Sequence, residues 1–341
     1  MCMASLENKI KDKARELGYE ECGIIEAGIF EEFLTQLNMR SELFPHAGWF
    51  YDNLRKLAMP KEQIDWAKSI VVCVRRYDKY KIPEGLEGII GKVFLVDGRL
   101  SYSQEYKNNC AFEQFLQELG FQTAQNVVPA RWSAVKAGLG KFRNNNFLYT
   151  KHGSWVWMDT WVIDKELEYE PKVEMQKFSC PEGCQKCVEA CPTGALSAPL
   201  TMDATKCIAC STFRPQLEVA ENLLDKMGTW LYGCDICQNV CPANKKTWQD
   251  NESEFPEPFA LQDFITLEKI FNMDEETYKI KIQPRFWYIA QEDLWFWKCK
   301  AIRAMANDDA EKYHKYFMQA LKDSNEAVKK MARWALESKK K

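Results

Sequence analysis

No apolar run in the 341-residue chain approaches the roughly 18 residues that a membrane-spanning helix requires. Its start, MCMASLENKIKDKARELGYEE, is polar and lacks the apolar core of a signal peptide. A soluble, cytoplasmic protein with no membrane partner is the expectation. Neither charge dominates: 46 Lys and Arg stand against 49 Asp and Glu, a formal net charge of −3, which excludes a polybasic tail protein. No G-x-G-x-x-G fingerprint follows a strand pattern, so a dinucleotide site has no support. What the chain does have is cysteine. Of its 14 cysteines, nine crowd between Cys180 and Cys241. A chain this long, without an export signal, needs no disulfide scaffold, so the local crowd points to metal.

The first half reads as α+β. Leu6, Ile10, Ala14 and Leu17 recur at helical spacing before Gly18, and Asn108 to Leu119 is helical in pattern. CGIIEA, SIVVCVRRY and Phe121 to Val128 read as strands, as does SWVWMDTWVI, which sets Trp155, Trp157, Asp159 and Trp161 on one face. After TWQDNESEFPEPF, a linker by composition, the tail is helical. Tyr313, Phe317, Ala320 and Leu321 line one helix and Val328, Met331, Ala335 and Leu336 another, with Asp323 and Glu326 as a capping box between them. The expected division is 1–170, an α+β domain; 171–250, a cysteine module; and 251–341, a helical region resembling a HEAT-type repeat.

Cys180, Cys184, Cys187 and Cys191 are spaced C-x3-C-x2-C-x3-C-P, and Cys234, Cys237 and Cys241 are spaced C-x2-C-x3-C-P, with Cys207 and Cys210 between them. A 4Fe–4S cubane needs a thiolate on each iron. In two-cluster ferredoxins the cysteine before the proline turns away to the neighbouring cluster. That exchange assigns Cys180, Cys184, Cys187 and Cys241 to one cluster, and Cys191, Cys207, Cys234 and Cys237 to the other. Two zinc sites built from thiolate pairs are the competing reading, but they explain the repeated C-x3-C-P poorly. Cys210 is a spare thiol or a replacement for Cys207.

Lys136 to Trp155 reads KAGLGKFRNNNFLYTKHGSW. Gly138 and Gly140 permit close backbone approach, and Asn144, Asn145 and Asn146 supply amides suited to a polar, amide-bearing ligand. A plain turn with an asparagine-rich loop has the same pattern. In order along the chain, FPHAGWFYDNLRK, SYSQEYK, KAGLG…GSW, CPTGAL, YGCDICQNVCPAN and PRF…AIRAMAN resemble the epoxyqueuosine reductases, a family related to the corrinoid reductive dehalogenases.

The resemblance implies a nitroreductase-like cobalamin-binding domain, a bacterial ferredoxin-like two-cluster module and a HEAT-like C-terminal segment. It also implies two 4Fe–4S clusters that reduce cobalamin to Co(I), supplied by a low-potential donor such as a ferredoxin or flavodoxin. The substrate it implies is a tRNA anticodon base bearing epoxyqueuosine. It carries Lys136, Ala137, Gly138, Leu139, Gly140, Asn144, Asn145 and Ser154 over as cobalamin contacts. Base-off binding without a protein imidazole is consistent with the three histidines, His46, His152 and His314, none of which lies in a D-x-H-x-x-G motif.

One departure concerns the family's proton donor, the Asp of an Asp-Ser-x-Pro segment before KAGLG. Here TAQNVVPARWSAVKAGLG is shorter and sets Gln125 or Asn126 at that place, and an amide is no general acid. Tyr102, Tyr106, Lys107 and Arg131 lie in matching segments and are the replacement candidates, a tyrosine beside a cation being a workable acid. Residues 291–341 hold twelve Lys or Arg against eight Asp or Glu, so KCKAIR, VKKMAR and the terminal KKK are candidates for a basic tRNA-facing surface. Two alternatives stand beside an epoxyqueuosine-type reductase: a corrinoid-dependent small-molecule reductase with dehalogenase-like chemistry, and a non-catalytic electron-transfer or corrinoid-reducing protein.

Overall fold

The computed structural model describes residues 5–95, 100–171, 180–245, 248 and 261–338. Its first helix, Leu6–Glu16, buries Ile10 and Ala14, and Ser5 Oγ caps it by accepting the Asn8 N–H at 3.3 Å. Strands β1 (Glu21–Glu26), β2 (Ser69–Arg76), β3 (Thr123–Gln125), β4 (Lys141–Phe142), β5 (Leu148–Tyr149) and β6 (Val156–Ile163) follow. Four of them make an antiparallel sheet in the order β1-β2-β6-β3, with β4 and β5 paired separately as a hairpin.

Period-two alternation splits the sheet's side chains between two layers. On one face Ile25, Ile70, Val72 and Val162 pack with Phe33, Tyr51 and Trp132 from the helices Glu31–Leu43, Gly48–Arg55 and Ala130–Lys136. On the other, Ile24, Val71, Cys73, Trp161 and Ile163 pack with Ile10, Phe112 and Leu116, from the first helix and the helix Gln104–Glu118. Covered on both faces, β2 is buried along almost its whole length, as its β-branched run predicts. Asp159 of β6 accepts from Tyr19 Oη at 3.0 Å, Arg75 Nε at 3.3 Å and Trp157 Nε1 at 3.1 Å, so this buried carboxylate is neutralised inside the sheet layer.

Two sequence expectations are corrected. The strand expected over Phe121 to Val128 is only Thr123–Gln125, because Asn126 turns left-handed at φ 56° and Pro129 then leads into a helix. The last helix, Glu326–Glu337, is capped by Asn325, whose Oδ1 accepts the Ala327 N–H at 2.9 Å. Asp323 instead accepts the Asn325 N–H at 2.9 Å and pairs with Lys298 at 3.3 Å. The TWQDNESEFPEPF segment, Trp248 apart, and the terminal KKK lie outside the described residues.

The tail also revises the basic surface. The helix Leu294–Asp309 buries Lys300 and Arg303, so KCKAIR turns two of its cations inward. Lys330 pairs with Glu218 at 3.1 Å, and Lys329 with Glu326. Residues Leu86 to Leu95 join one hydrophobic cluster with Ile208, Leu224 and the tail helices, so the cysteine module is packed between parts of the chain far apart in sequence. No helix among the described residues is long and apolar enough to cross a membrane.

Candidate functional site

The helix Ala130–Lys136 ends at Ala137, and the chain then turns through Gly138, at φ 73°, into the β4–β5 hairpin. A Cβ on Gly140 would lie 2.7 Å from the Tyr149 carbonyl oxygen, so only glycine lets the hairpin close. Gly140→Ala is therefore expected to lower stability by about 1–3 kcal/mol, the usual cost of overpacking. Gly48→Ala, where an added Cβ meets nothing within 4 Å, is the matched control and should leave the chemical-denaturation midpoint unchanged or slightly raised.

The hairpin rests on the cysteine loops. Asn144 donates its backbone N–H to Cys180 Sγ at 3.4 Å and its Nδ2 to the Cys184 carbonyl at 2.8 Å. Asn145 Nδ2 donates to the Cys237 carbonyl and to Tyr149 Oη, both at 2.9 Å. Ser154 Oγ accepts from Gln238 Nε2 and Asn244 Nδ2, both at 2.8 Å, and its N–H donates to Asn244 Oδ1 at 3.0 Å. These three side chains therefore lock the hairpin to both cysteine-rich loops. Lys136 reaches the other way, to the Ile29 carbonyl at 3.4 Å and over the Phe30 ring, while Ala137 and Leu139 pack into the layer that holds Phe33, Tyr51 and Trp132.

Every cysteine among the described residues is a free thiol. Burial pushes Cys187 up to about 11, and the nearby Cys180, Cys241 and Cys184 thiols push the same way. Cys234 is raised by burial and then by Cys207 and Cys191, and Cys237 by burial and then by Cys234, Cys207 and Cys187. The thiols of the two cysteine loops thus lie in mutual electrostatic reach. Cys207 and Cys210 lie in hydrogen-bond contact with each other. No three His, Cys, Asp or Glu side chains among the described residues gather round a single-ion site. A cubane asks instead for four thiols set around a larger box, and the crowded thiols of these loops have the chemistry for such groups.

The four candidate acids do not converge. Tyr102 Oη lies 3.3 Å from Arg285 Nη2, and Tyr106 stands beside Cys110 on the helix Gln104–Glu118, where Lys107 is exposed. Arg131 alone reaches the hairpin, donating from Nη1 to the Asn146 carbonyl at 3.1 Å and lying over the Phe147 ring. Its side chain is exposed, and Tyr77, Cys237 and Tyr288 lie within its electrostatic reach. Gln125 donates to Glu113 Oε2 at 2.7 Å, and Asn126 is exposed on its left-handed turn.

Three further contributors emerge from the fold. Both amide atoms of Asn146 are buried without a hydrogen-bond partner, as is Arg143 Nε, so the hairpin tip has polar capacity to offer a ligand. Tyr288 and Trp287 stack at 4.1 Å and are both exposed, and Phe213 stacks on Tyr288 at 5.1 Å. His46 Nε2 meets the buried Asp203 at 3.0 Å, tying the helical layer to the loop before Cys207. The amide-rich NNN run hinted at the first; nothing local signalled the others.

The 4Fe-4S double cluster binding domain family matches residues 180–244, the stretch that holds all nine crowded cysteines. An epoxyqueuosine reductase of Leadbetterella byssophila is 30% identical over 268 residues, covering 74% of this chain and 84% of the relative. A crystal structure of selenomethionine-labelled epoxyqueuosine reductase superposes with a TM-score of 0.80 at 24% identity, covering 97% of this chain and 89% of that one. Another, of epoxyqueuosine reductase with an epoxyqueuosine-modified tRNA stem loop, gives 0.79 at 24% identity, with the same coverage. With a mixed helix and strand fold, a double 4Fe–4S segment and a relative aligned along most of both chains, this chain belongs to the epoxyqueuosine reductase family of oxidoreductases.

Proposed function

We propose that the protein is a cobalamin-dependent iron–sulfur reductase that acts on epoxyqueuosine in tRNA. The observation that carries this reading is the Asn144–Asn146 hairpin, which bonds to both cysteine loops and keeps a buried, unpartnered amide at Asn146. A corrin ring is fringed with primary amides, so Asn146 and Arg143 have the donors and acceptors to hold one, with Gly138 and Gly140 shaping the turn beneath. The cofactor chemistry supplied here would be low-potential electron delivery to an electrophilic carbon.

Cys180, Cys184, Cys187 and Cys241 would ligate one 4Fe–4S cluster, and Cys191, Cys207, Cys234 and Cys237 the other, a partition that rests on the repeated C-x3-C-P spacing and the exchange of the fourth ligand, within the matched double-cluster segment. Functionally the chain then divides into a nitroreductase-like cofactor domain (1–170), a ferredoxin-like module (171–250) and a HEAT-like helical part (251–341). Asn144, Asn145 and Ser154 serve the docking of the clusters against the cofactor. Arg131 holds the hairpin carbonyl at Asn146 and presents positive charge where negative charge develops as the epoxide opens. A low-potential ferredoxin or flavodoxin would supply the electrons.

Exposed Trp287, backed by Tyr288, offers a flat face for an unstacked base. Trp287→Ala is expected to weaken binding of an anticodon stem loop by about 1–3 kcal/mol, the range for one base–aromatic stack, as read by fluorescence anisotropy. The chemistry is tested by incubating the anaerobically reconstituted chain, with cobalamin and a low-potential reductant, on epoxyqueuosine-bearing tRNA, and analysing the nucleosides by mass spectrometry. Queuosine should form only when cobalamin is present. The exposed Asn126, where the resemblance calls for an acid, favours a second reading: a corrinoid-dependent reductase of a small molecule. Corrinoid retention without queuosine formation would select it.

A further inference from the structure

The helices Leu294–Asp309 and Glu326–Glu337, together with the segment Ser211–Met227, line a pocket of about 770 Å³ away from the hairpin. That is the size of a small-molecule site. Much of its wall is apolar, including Leu217, Val219, Trp295, Phe296 and Met331. Two further lining residues are cations almost sealed from solvent: Lys300, 4% exposed, and Arg303, 2% exposed. Lys300 donates to the Thr212 carbonyl at 3.2 Å and lies 3.6 Å from the Trp297 ring centroid. Arg303 donates to the carbonyls of Gly228 and Trp230.

Among the described residues, no carboxylate pairs with either cation. Burial and then the Arg303 charge pull Lys300 well below the ordinary lysine value, and burial alone brings Arg303 down to about 10. The acidic side chains that line the pocket are Glu218, Glu221 and Glu337, and Glu218 is held by Lys330 at 3.1 Å. Carbonyl dipoles and aromatic faces satisfy part of each cation, but two neighbouring buried positive charges still repel, and a buried charge without a counter-ion is costly. The pocket therefore combines an apolar cavity with an unmet demand for negative charge.

We propose that this pocket binds an amphipathic organic anion, with an apolar or aromatic body against Trp295, Phe296 and Met331 and an acidic head group beside Lys300 and Arg303. The acidic head is a phosphate or a carboxylate, and titration tells the two apart. Thr212 lies in the last turn of the short helix Ile208–Phe213, which follows Cys207, so the Lys300 bond links the pocket to the cysteine module.

The test is isothermal titration calorimetry on the full chain, anaerobically reconstituted, with 1-naphthyl phosphate, 1-naphthoate and neutral 1-naphthol. One saturable site per chain is expected for at least one of the two anions, with 1-naphthol at least about tenfold weaker, as the loss of a charge-assisted hydrogen bond implies. The better anion identifies the head group. Lys300→Met should weaken that anion by about tenfold or more, and Met331→Trp, which fills the cavity and leaves both cations in place, should abolish its binding. Melting curves and cluster absorbance check that each variant is folded; should Lys300→Met fail to fold, Met331→Trp and the neutral analogue decide. No saturable binding of either anion, equal binding of 1-naphthol, or anion binding unchanged by Met331→Trp would overturn the proposal.

Discussion

Cys241→Ala is expected to halve the iron of the reconstituted protein, from about eight to about four atoms per chain, and to remove the cluster otherwise held by Cys180, Cys184 and Cys187. Sequence proximity alone points elsewhere, because Cys241 closes the motif that contains Cys234 and Cys237. The exchange of the cysteine before the proline between the two motifs is what assigns it to the earlier loop, whose Cys187 lies within its electrostatic reach. Cys191→Ala should be the mirror image, emptying the site of Cys207, Cys234 and Cys237 while leaving the first intact. Either variant breaks the electron path, so turnover should fall by at least about a hundredfold, beyond the reach of a lost packing contact. Iron and sulfide analysis with EPR of the reduced protein separates the outcomes. If Cys241→Ala instead removed the cluster nearest Cys234, the exchange of ligands between the two motifs would be wrong.

Arg131→Leu carries the second large effect. Its guanidinium is the one candidate that reaches the hairpin, bonded to the Asn146 carbonyl and within electrostatic reach of Cys237 and Tyr288. Removing a pre-positioned cation where charge develops should lower kcat/KM by about 10²–10³-fold, as for other single preorganised donors. Iron content should be unchanged, since Arg131 is not a thiolate ligand. Tyr106→Phe, at a residue beside Cys110 and away from the hairpin, should lose less than about threefold, well short of a general acid's 10²–10⁴. A large loss for Tyr106→Phe with little for Arg131→Leu would reverse the assignment.

The elements that came through most faithfully from the sequence are those whose signal is local and periodic. The first helix, β1, β2 and β6 follow from their apolar spacing, because the layers they pack against only reinforce that spacing. The cysteine module was legible because ligand spacing is itself chemical information. Asn126 ended β3 early because a left-handed residue breaks a strand and an alternation pattern does not register it. Lys300 and Arg303 counted as surface charge from composition, yet aromatic rings and backbone carbonyls draw them inward. The Arg131–Tyr288 neighbourhood joins distant parts of the chain, and no window of sequence contains both. Asn144 and Asn145 looked like cofactor contacts because amides suit a corrin, but the same amides also satisfy the carbonyls of cysteine loops.

The central claim is that the hairpin and the cysteine module together hold cobalamin. The most direct measurement is corrinoid retention: the cluster-loaded chain is mixed anaerobically with cobalamin, passed over a desalting column, and its absorption spectrum is recorded beside that of an Asn146→Leu variant. A stoichiometric, base-off corrinoid spectrum in the wild type that is lost or markedly weakened in the variant is predicted. A fully iron-loaded wild-type chain that retains no corrinoid would contradict the account.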